Sequence, residues 1–296
     1  MPASAVFIPL AGGDEELEIP VDELPGSGEL LEILSSEKAP LKAWLRVACA
    51  YYHRGDTQAF ESILNEATTT ATSSASPSDR ILIINAQAGH FAQMGLAEKR
   101  PEVKKKREDL LEKSIQLYNN AGRIAAQEGM DVDAGTWVGR GVICLIQGDD
   151  DRAGENFDNA LQTTDDYIPA MLGKARIFFS GGKYDNALNL LCRCIELKPD
   201  CPANVRQGIG LCYFRKGKLE LARKAFQRVL QLDKTNVDAL MGLALMTLND
   251  KSLDTDQAIM KAMSYTKAAA THDRDKQVRE AMVHSDGSML FRCGRL

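Results

Sequence analysis

Three places in the sequence carry residue types and spacings that could do chemistry. Gly181-Gly182-Lys183 has the makings of a phosphate-binding turn, in which backbone amides and a lysine ammonium surround an anion. Cys192 and Cys194 offer two thiolates to a soft metal. The run KRPEVKKKRE at 99–108 is the dense basic segment of the chain, suited to phosphates or to an import receptor.

The first two fail on their surroundings. A phosphate loop needs G-x-x-x-x-G-K-[ST], with a hydroxyl for magnesium and a strand before it, whereas Tyr184 follows Lys183 and a helical pattern precedes it. Two helical residues two apart point about 200° away from each other, so Cys192 and Cys194 do not share a metal. Cys201 and Cys212 read as a turn residue and a small core residue. His53, His90, His272 and His284 are scattered, without HExxH, G-x-S-x-G or a neighbouring nucleophile, and each reads as an exposed or helix-end residue. The expectation is a protein that is not an enzyme, with no metal, no cofactor and no small-molecule substrate. In the basic run, Lys104, Lys105, Lys106 and Arg107 resemble a nuclear-import signal, with a solvated helix start as the alternative. No aromatics interleave to stack on bases.

Composition sets the bounds. At 296 residues, with 44% hydrophobic and 26% charged residues, the chain reads as soluble and globular, and a formal charge of −5 gives no global case for nucleic-acid binding. No run reaches the eighteen or so apolar residues of a membrane span, and the acidic N-terminus lacks a signal peptide's apolar stretch, so no membrane partner is expected. Seven cysteines, an odd number lying mostly in apolar helical patterns, fit reduced thiols of the cytosol or nucleus.

The elements behind these residues are short helices, punctuated by Gly and Pro. Phe226, Val229, Leu230 and Asp233 fall at i, i+3, i+4 and i+7, an apolar face with a charge at its end. The helices repeat. Gly148, Gly182 and Gly217 recur 34 and 35 residues apart, and so do Ala153, Ala187, Ala222 and Phe157, Leu191, Phe226. Upstream in each unit stand Gly141, Ala175, Gly210, then Cys144, Phe178, Tyr213. A small residue, a large one, a turn glycine, a small residue and an aromatic at this period resemble the tetratricopeptide repeat. Two antiparallel helices approach closely only where one presents a small side chain, and each pair leaves apolar flanks that the next pair covers. The expected fold is all-α, a right-handed superhelical solenoid of tetratricopeptide-type helix hairpins.

Trp44, Ala48, Tyr51 and Gly55 repeat the spacing of Trp137, Gly141, Cys144 and Gly148, which extends the pattern upstream. The resulting division is an N-terminal extension over 1–36, a first helix pair over 37–67, a low-complexity loop over 68–79 and an irregular long helix pair over 80–128. About four repeats follow over 134–270, with Ala262 and Ala269 marking the last helix, and then a divergent tail expected to be disordered over 271–296. A solenoid normally closes with a polar capping helix, and the tail's departure from the pattern leads us to expect a fragment or alternative product of a longer protein.

The non-repeat residues carry a closer likeness. IP…VDELP near the start, CPANVR at 201–206, and the stretches YNNAGRI at 118–124, TWVGRG at 136–141 and IPAMLGKARIFFSGGKYDNAL at 168–188 resemble the N-terminal portion of the tetratricopeptide scaffold subunit of the RNA polymerase II-associated Paf complex, plant members above all. The resemblance covers about residues 5–270. It implies a nuclear, non-catalytic scaffold that binds other Paf subunits and acts with RNA polymerase II, indirectly or through regions absent here, in transcription elongation and co-transcriptional histone modification.

If the helices superpose on ordinary repeats, the first helix of each pair lines an inner groove with Val138, Val142, Leu172, Arg176, Phe179, Gln207, Leu211, Phe214 and Met241. The groove is mainly apolar, which suits a peptide segment laid into it; the alternative is that these side chains pack against neighbouring repeats. A generic adaptor or co-chaperone is the competing function. The Lys, Asn, Asn, Lys, Arg clamp that holds acidic chaperone tails is missing at these positions.

Overall fold

The computed structural model describes residues 5–10, 15–70, 75–97, 104–248 and 254–283, with side chains as far as His272. The described chain is all-α apart from one β-hairpin, and it divides into two compact units, the first running to Gly148 and the second spanning Asp149–Ala281.

The first unit opens with that hairpin, a feature the helical patterns gave no warning of. Strand β1 (Ala5–Pro9) pairs antiparallel with β2 (Glu16–Pro20), Val6 opposite Ile19 and Ile8 opposite Leu17. Val6 and Ile8 alternate inward into a core that also holds Leu30 and Leu34 of α1 (Ser27–Ser36), Trp44 and Val47 of α2 (Leu41–Arg54) and Ile63 and Leu64 of α3 (Thr57–Thr70). The described part of the N-terminal extension, 5–10 and 15–36, thus packs into this core. Between β2 and α1 the chain is tied to α2 by side chains: the Tyr51 hydroxyl donates to the Pro25 carbonyl at 2.6 Å, and Arg54 Nη1 donates to the Leu24 carbonyl at 2.8 Å.

Helices α4 (Pro77–Ala97) and α5 (Lys104–Gln127) form the long pair, and α6 (Ala134–Gln147) follows. Of the segment expected as a loop over 68–79, α3 takes the residues to Thr70 and α4 those from Pro77, where a proline's fixed φ suits a first helical turn; 71–74 lie outside the described residues. Ser114 Oγ donates to the buried Ala88 carbonyl at 2.7 Å, fixing the α4–α5 register. The Asp133 carboxylate caps α6 by accepting from the Gly135 and Thr136 amides and also accepts from Asn85 Nδ2, so α6 is pinned to α4.

The second unit is a run of antiparallel helices: α7 (Asp150–Thr163), α8 (Ile168–Ser180), α9 (Tyr184–Leu197), α10 (Ala203–Arg215), α11 (Leu219–Leu232), α12 (Val237–Leu248) and α13 (Thr255–Val283). The turn glycines predicted from spacing, Gly55, Gly148, Gly182 and Gly217, all adopt left-handed φ values between 72° and 97°, which an L side chain resists. At Gly55, Gly182 and Gly217 the glycine amide and the next one fold back onto the helix: Gly182 N donates to Phe179 O and Lys183 N to Phe178 O, as Gly217 N does to Phe214 O and Lys218 N to Tyr213 O. Two cores result, one around Ala187, Leu191, Cys194 and Cys212, the other around Ala222, Phe226, Val229 and Leu243. The expected disordered tail is corrected in part. Helix α13 continues through 271–283, and residues 284–296, His284 among them, lie outside the described residues.

Candidate functional site

The chemistry-bearing stretches take structural positions. The Gly181, Gly182 and Lys183 amides are all spent on the Ile177, Phe179 and Phe178 carbonyls, at 2.8–3.1 Å, so none is left to grip a phosphate. Cys194 is fully buried and Cys192 half-buried, and the Cys201 thiol leans on the Cys194 carbonyl at 3.5 Å. Burial pushes the Cys194 and Cys212 thiols up to about 11, which disfavours the thiolate a metal would need. Among the described residues no group of three His, Cys, Asp or Glu side chains could hold a metal ion, and no helix is long and apolar enough to cross a membrane.

Two histidines depart from expectation: His272 is half-buried within α13, and His90 departs further. It is neither exposed nor terminal but sits inside α4 at 5% exposure, against the rings of Tyr52 and Phe60. Lys104, Lys105 and Lys106 open α5 as exposed residues, with Lys104 3.7 Å from Glu108 one turn on, and Arg107 is half-buried. The rest of that basic run, 99–103, lies outside the described residues.

The groove residues are best read by register. Val138 and Val142 lie half-buried on α6 in the first unit. In the second unit Leu172, Arg176 and Phe179 of α8 correspond, 35 residues on, to Gln207, Leu211 and Phe214 of α10. A further 34 on, they correspond to Met241, Leu245 and Leu248 of α12. These three rows run across successive first helices. Leu172 and Phe179 pack partly against the first core of this unit, Leu211 and Phe214 partly against the second. The rows come into the open on α12, where Met241, Leu245 and Leu248 are 41%, 48% and 54% exposed.

Both readings of these side chains therefore hold, in different helices: packing on α8 and α10, an open apolar face on α12. Polar groups edge the rows. Gln207 Nε2 donates to Asp238 at 3.0 Å and its carbonyl accepts from Asn236, while Arg176 has no carboxylate partner among the described residues. Leu245 and Leu248 were missed by the sequence reading although the same offsets point to them.

Sequence reasoning also missed what sets the spacing of the rows. Gly173 faces Phe157, Gly208 faces Leu191, and Gly242 faces Phe226, in each case across from the preceding second helix. A Cβ on Gly208 would meet Leu191 at 3.1 Å, and one on Gly242 would meet the Phe226 ring at 2.9 Å. In the first unit, Gly139 of α6 faces Tyr118 of α5 in the same manner. The irregular pair α4–α5 thus offers the same docking residue as a regular repeat.

The tetratricopeptide-repeat family pattern matches residues 168–201 and 203–236. The Protein CTR9 homolog of Arabidopsis thaliana is 35% identical over 280 residues, 91% of this chain and 25% of its own length. The RNA polymerase-associated protein CTR9 of Caenorhabditis elegans is 29% identical over 84% of this chain and 22% of its own length. Tetratricopeptide repeat protein 1 of Schizosaccharomyces pombe is 32% identical over 89% of this chain and 26% of its own length. This chain spans about a quarter of the length of the curated relatives it matches. From the loop that Tyr51 and Arg54 hold to the glycine-docked repeats, the chain is similar to CTR9 proteins, and its second unit carries the tetratricopeptide repeat.

Proposed function

We propose that this chain is a non-catalytic scaffold module of the Paf transcription-elongation complex. It binds other Paf subunits through its helical-repeat surface and supports RNA polymerase II transcription and co-transcriptional histone modification in the nucleus. The observation that carries the reading is the likeness to CTR9 proteins across 91% of the chain, non-repeat segments included. A generic peptide-binding repeat has no need of the VDELP loop that Tyr51 and Arg54 hold in place.

The structure supplies the physical means. The helix pairs hold an open apolar row, Met241, Leu245 and Leu248, where a partner helix or extended segment can bury it; as each side chain is already about half buried, covering the rest contributes about 1 kcal/mol apiece. No covalent step is involved. The exposed lysines at the start of α5 are proposed as the import signal.

Affinity purification of the tagged chain from nuclei, with identification of the recovered proteins, tests the reading. Recovery of Paf subunits supports it. Recovery of chaperones through their acidic tails, with no Paf subunit, overturns it in favour of a co-chaperone.

A further inference from the structure

A cleft of about 470 Å³ opens in the first unit between α4 and α5, edged by Leu41 of α2 and Ala67 of α3. It is separate from the rows on α8, α10 and α12, and nothing in the preceding reading uses it. Its lining follows from helical periodicity. Arg80, Ile83, Ile84 and Gln87 form one stripe of α4, and Leu117, Asn120, Ile124 and Gln127 one stripe of α5. The helices run antiparallel, since Ser114 bonds to Ala88 while Ile84 and Ile124 share a core. Arg80 and Gln127 therefore stand at one end, Gln87 and Asn120 at the other, with isoleucine and leucine between.

The polar groups of this cleft are largely unspent. Gln87 donates to Asn65 at 3.1 Å, but the Arg80 guanidinium and the Asn120 and Gln127 amides have no side-chain partner among the described residues. The carboxylate next in sequence to Arg80, that of Asp79, lies 3.4 Å from Lys42 instead. An apolar floor with a few convergent polar groups is the usual make-up of a binding site. Along either helix the two polar ends are seven residues apart, about 10 Å. An extended peptide covers that distance in about three residues.

From this arrangement we propose that the α4–α5 cleft binds a short extended peptide in which an acidic residue stands beside an apolar one. The ligand carboxylate pairs with Arg80, whose planar fork suits it. The apolar side chain rests on Ile83, Ile84 and Ile124. The amides of Gln87, Asn120 and Gln127, each with both a donor and an acceptor, bond the peptide backbone.

The test is to pan a phage-displayed library of random 12-residue peptides on the full chain and measure the enriched sequences, as synthetic labelled peptides, by fluorescence polarisation. We expect them to share an Asp or Glu next to an apolar residue. Their affinity should fall at least tenfold when that residue becomes Asn or Gln, and as far when the protein carries Arg80→Gln. Asn120→Arg, at an exposed position outside the core, should block the cleft with the melting curve unchanged, which separates loss of the site from loss of the fold. Absence of any enriched peptide, or binding indifferent to both Arg80→Gln and Asn120→Arg, would overturn the proposal. Because the readout is a peptide bound by the first unit, either result is independent of whether Paf subunits are recovered from nuclei.

Discussion

The ring of Phe226 is held between two glycines, Gly210 of its own hairpin and Gly242 of the next, and a Cβ on either would come within 2.9 Å of it. A large residue on the second helix of one pair is thus the dowel that seats the next pair, and Phe157 and Leu191 play that part against Gly173 and Gly208. Seating depends on the absence of a side chain as much as on the presence of a ring, because an interior packed to crystal density has nowhere to move an added methyl.

Gly173→Ala tests this most directly. The added Cβ meets the Phe157 ring at below van der Waals contact, and Phe157 is completely buried. Alanine is the better helix former by about 1 kcal/mol, while overpacking costs about 1–3 kcal/mol, so a net loss is expected. Urea titration should show it, and Phe157→Leu in the same chain should cost less than its effect alone, because the two changes share one contact. An increase in stability from Gly173→Ala would mean that the helices part without cost.

Along the rows, position decides what a charge does. Leu245→Lys places it on a side chain that is 48% exposed and should leave the unfolding midpoint within about 0.5 kcal/mol of the parent while reducing recovery of partner subunits. Leu211→Glu, one repeat earlier, sets a carboxylate against the core of Phe226 and Leu243 and should destabilise the second unit by more than 1 kcal/mol, in the manner of other unpaired buried charges. The comparison needs both a purification and a melt: equal loss of partner with equal loss of stability in the two variants would remove α12 as a docking face.

At the other end of the chain, Tyr51→Phe deletes the hydroxyl that donates to the Pro25 carbonyl. A neutral hydrogen bond of this kind contributes about 0.5–1.5 kcal/mol, and the orphaned carbonyl is close enough to the surface to find water. Limited proteolysis should then cut first in the loop between β2 and α1, at low protease concentration, with the repeats intact. A digestion pattern identical to the parent's would show that Arg54 alone holds the loop.

The repeats could be read from the sequence because their signals are local: a glycine with positive φ and a buried alanine at fixed offsets need no knowledge of the neighbour. The β-hairpin gave no such signal, since AVFIP and ELEIP are five residues each and end in proline, too short for an alternating pattern to stand out. Gly139, Gly173, Gly208 and Gly242 went unread for the opposite reason. Their period is plain, but their meaning lies in a ring on another helix. Leu245 and Leu248 follow from the offsets that located Met241, yet their importance rests on exposure, which depends on what packs beside α12. The α4–α5 cleft needed both helices placed side by side before its polar ends could be paired.

His90 provides a pH test of the first unit's packing. It is buried against Tyr52 and Phe60, and burial holds its pKa below the ordinary 6.5, with Glu61 pulling the other way. In the unfolded chain the imidazole takes a proton near 6.5, whereas the folded chain keeps it neutral to lower pH. Between those values the unfolded state binds more protons, so stability rises with pH there; it is complete above 6.5 and is lost as pH falls toward the folded value. His90→Phe keeps an aromatic ring in the site and removes the proton. Unfolding midpoints in urea at pH 7.5 and 5.5 should therefore differ less in that variant than in the parent, the other ionisable groups being common to both. Equal differences would mean that water reaches His90 and that the ring cluster between α2, α3 and α4 is open in solution.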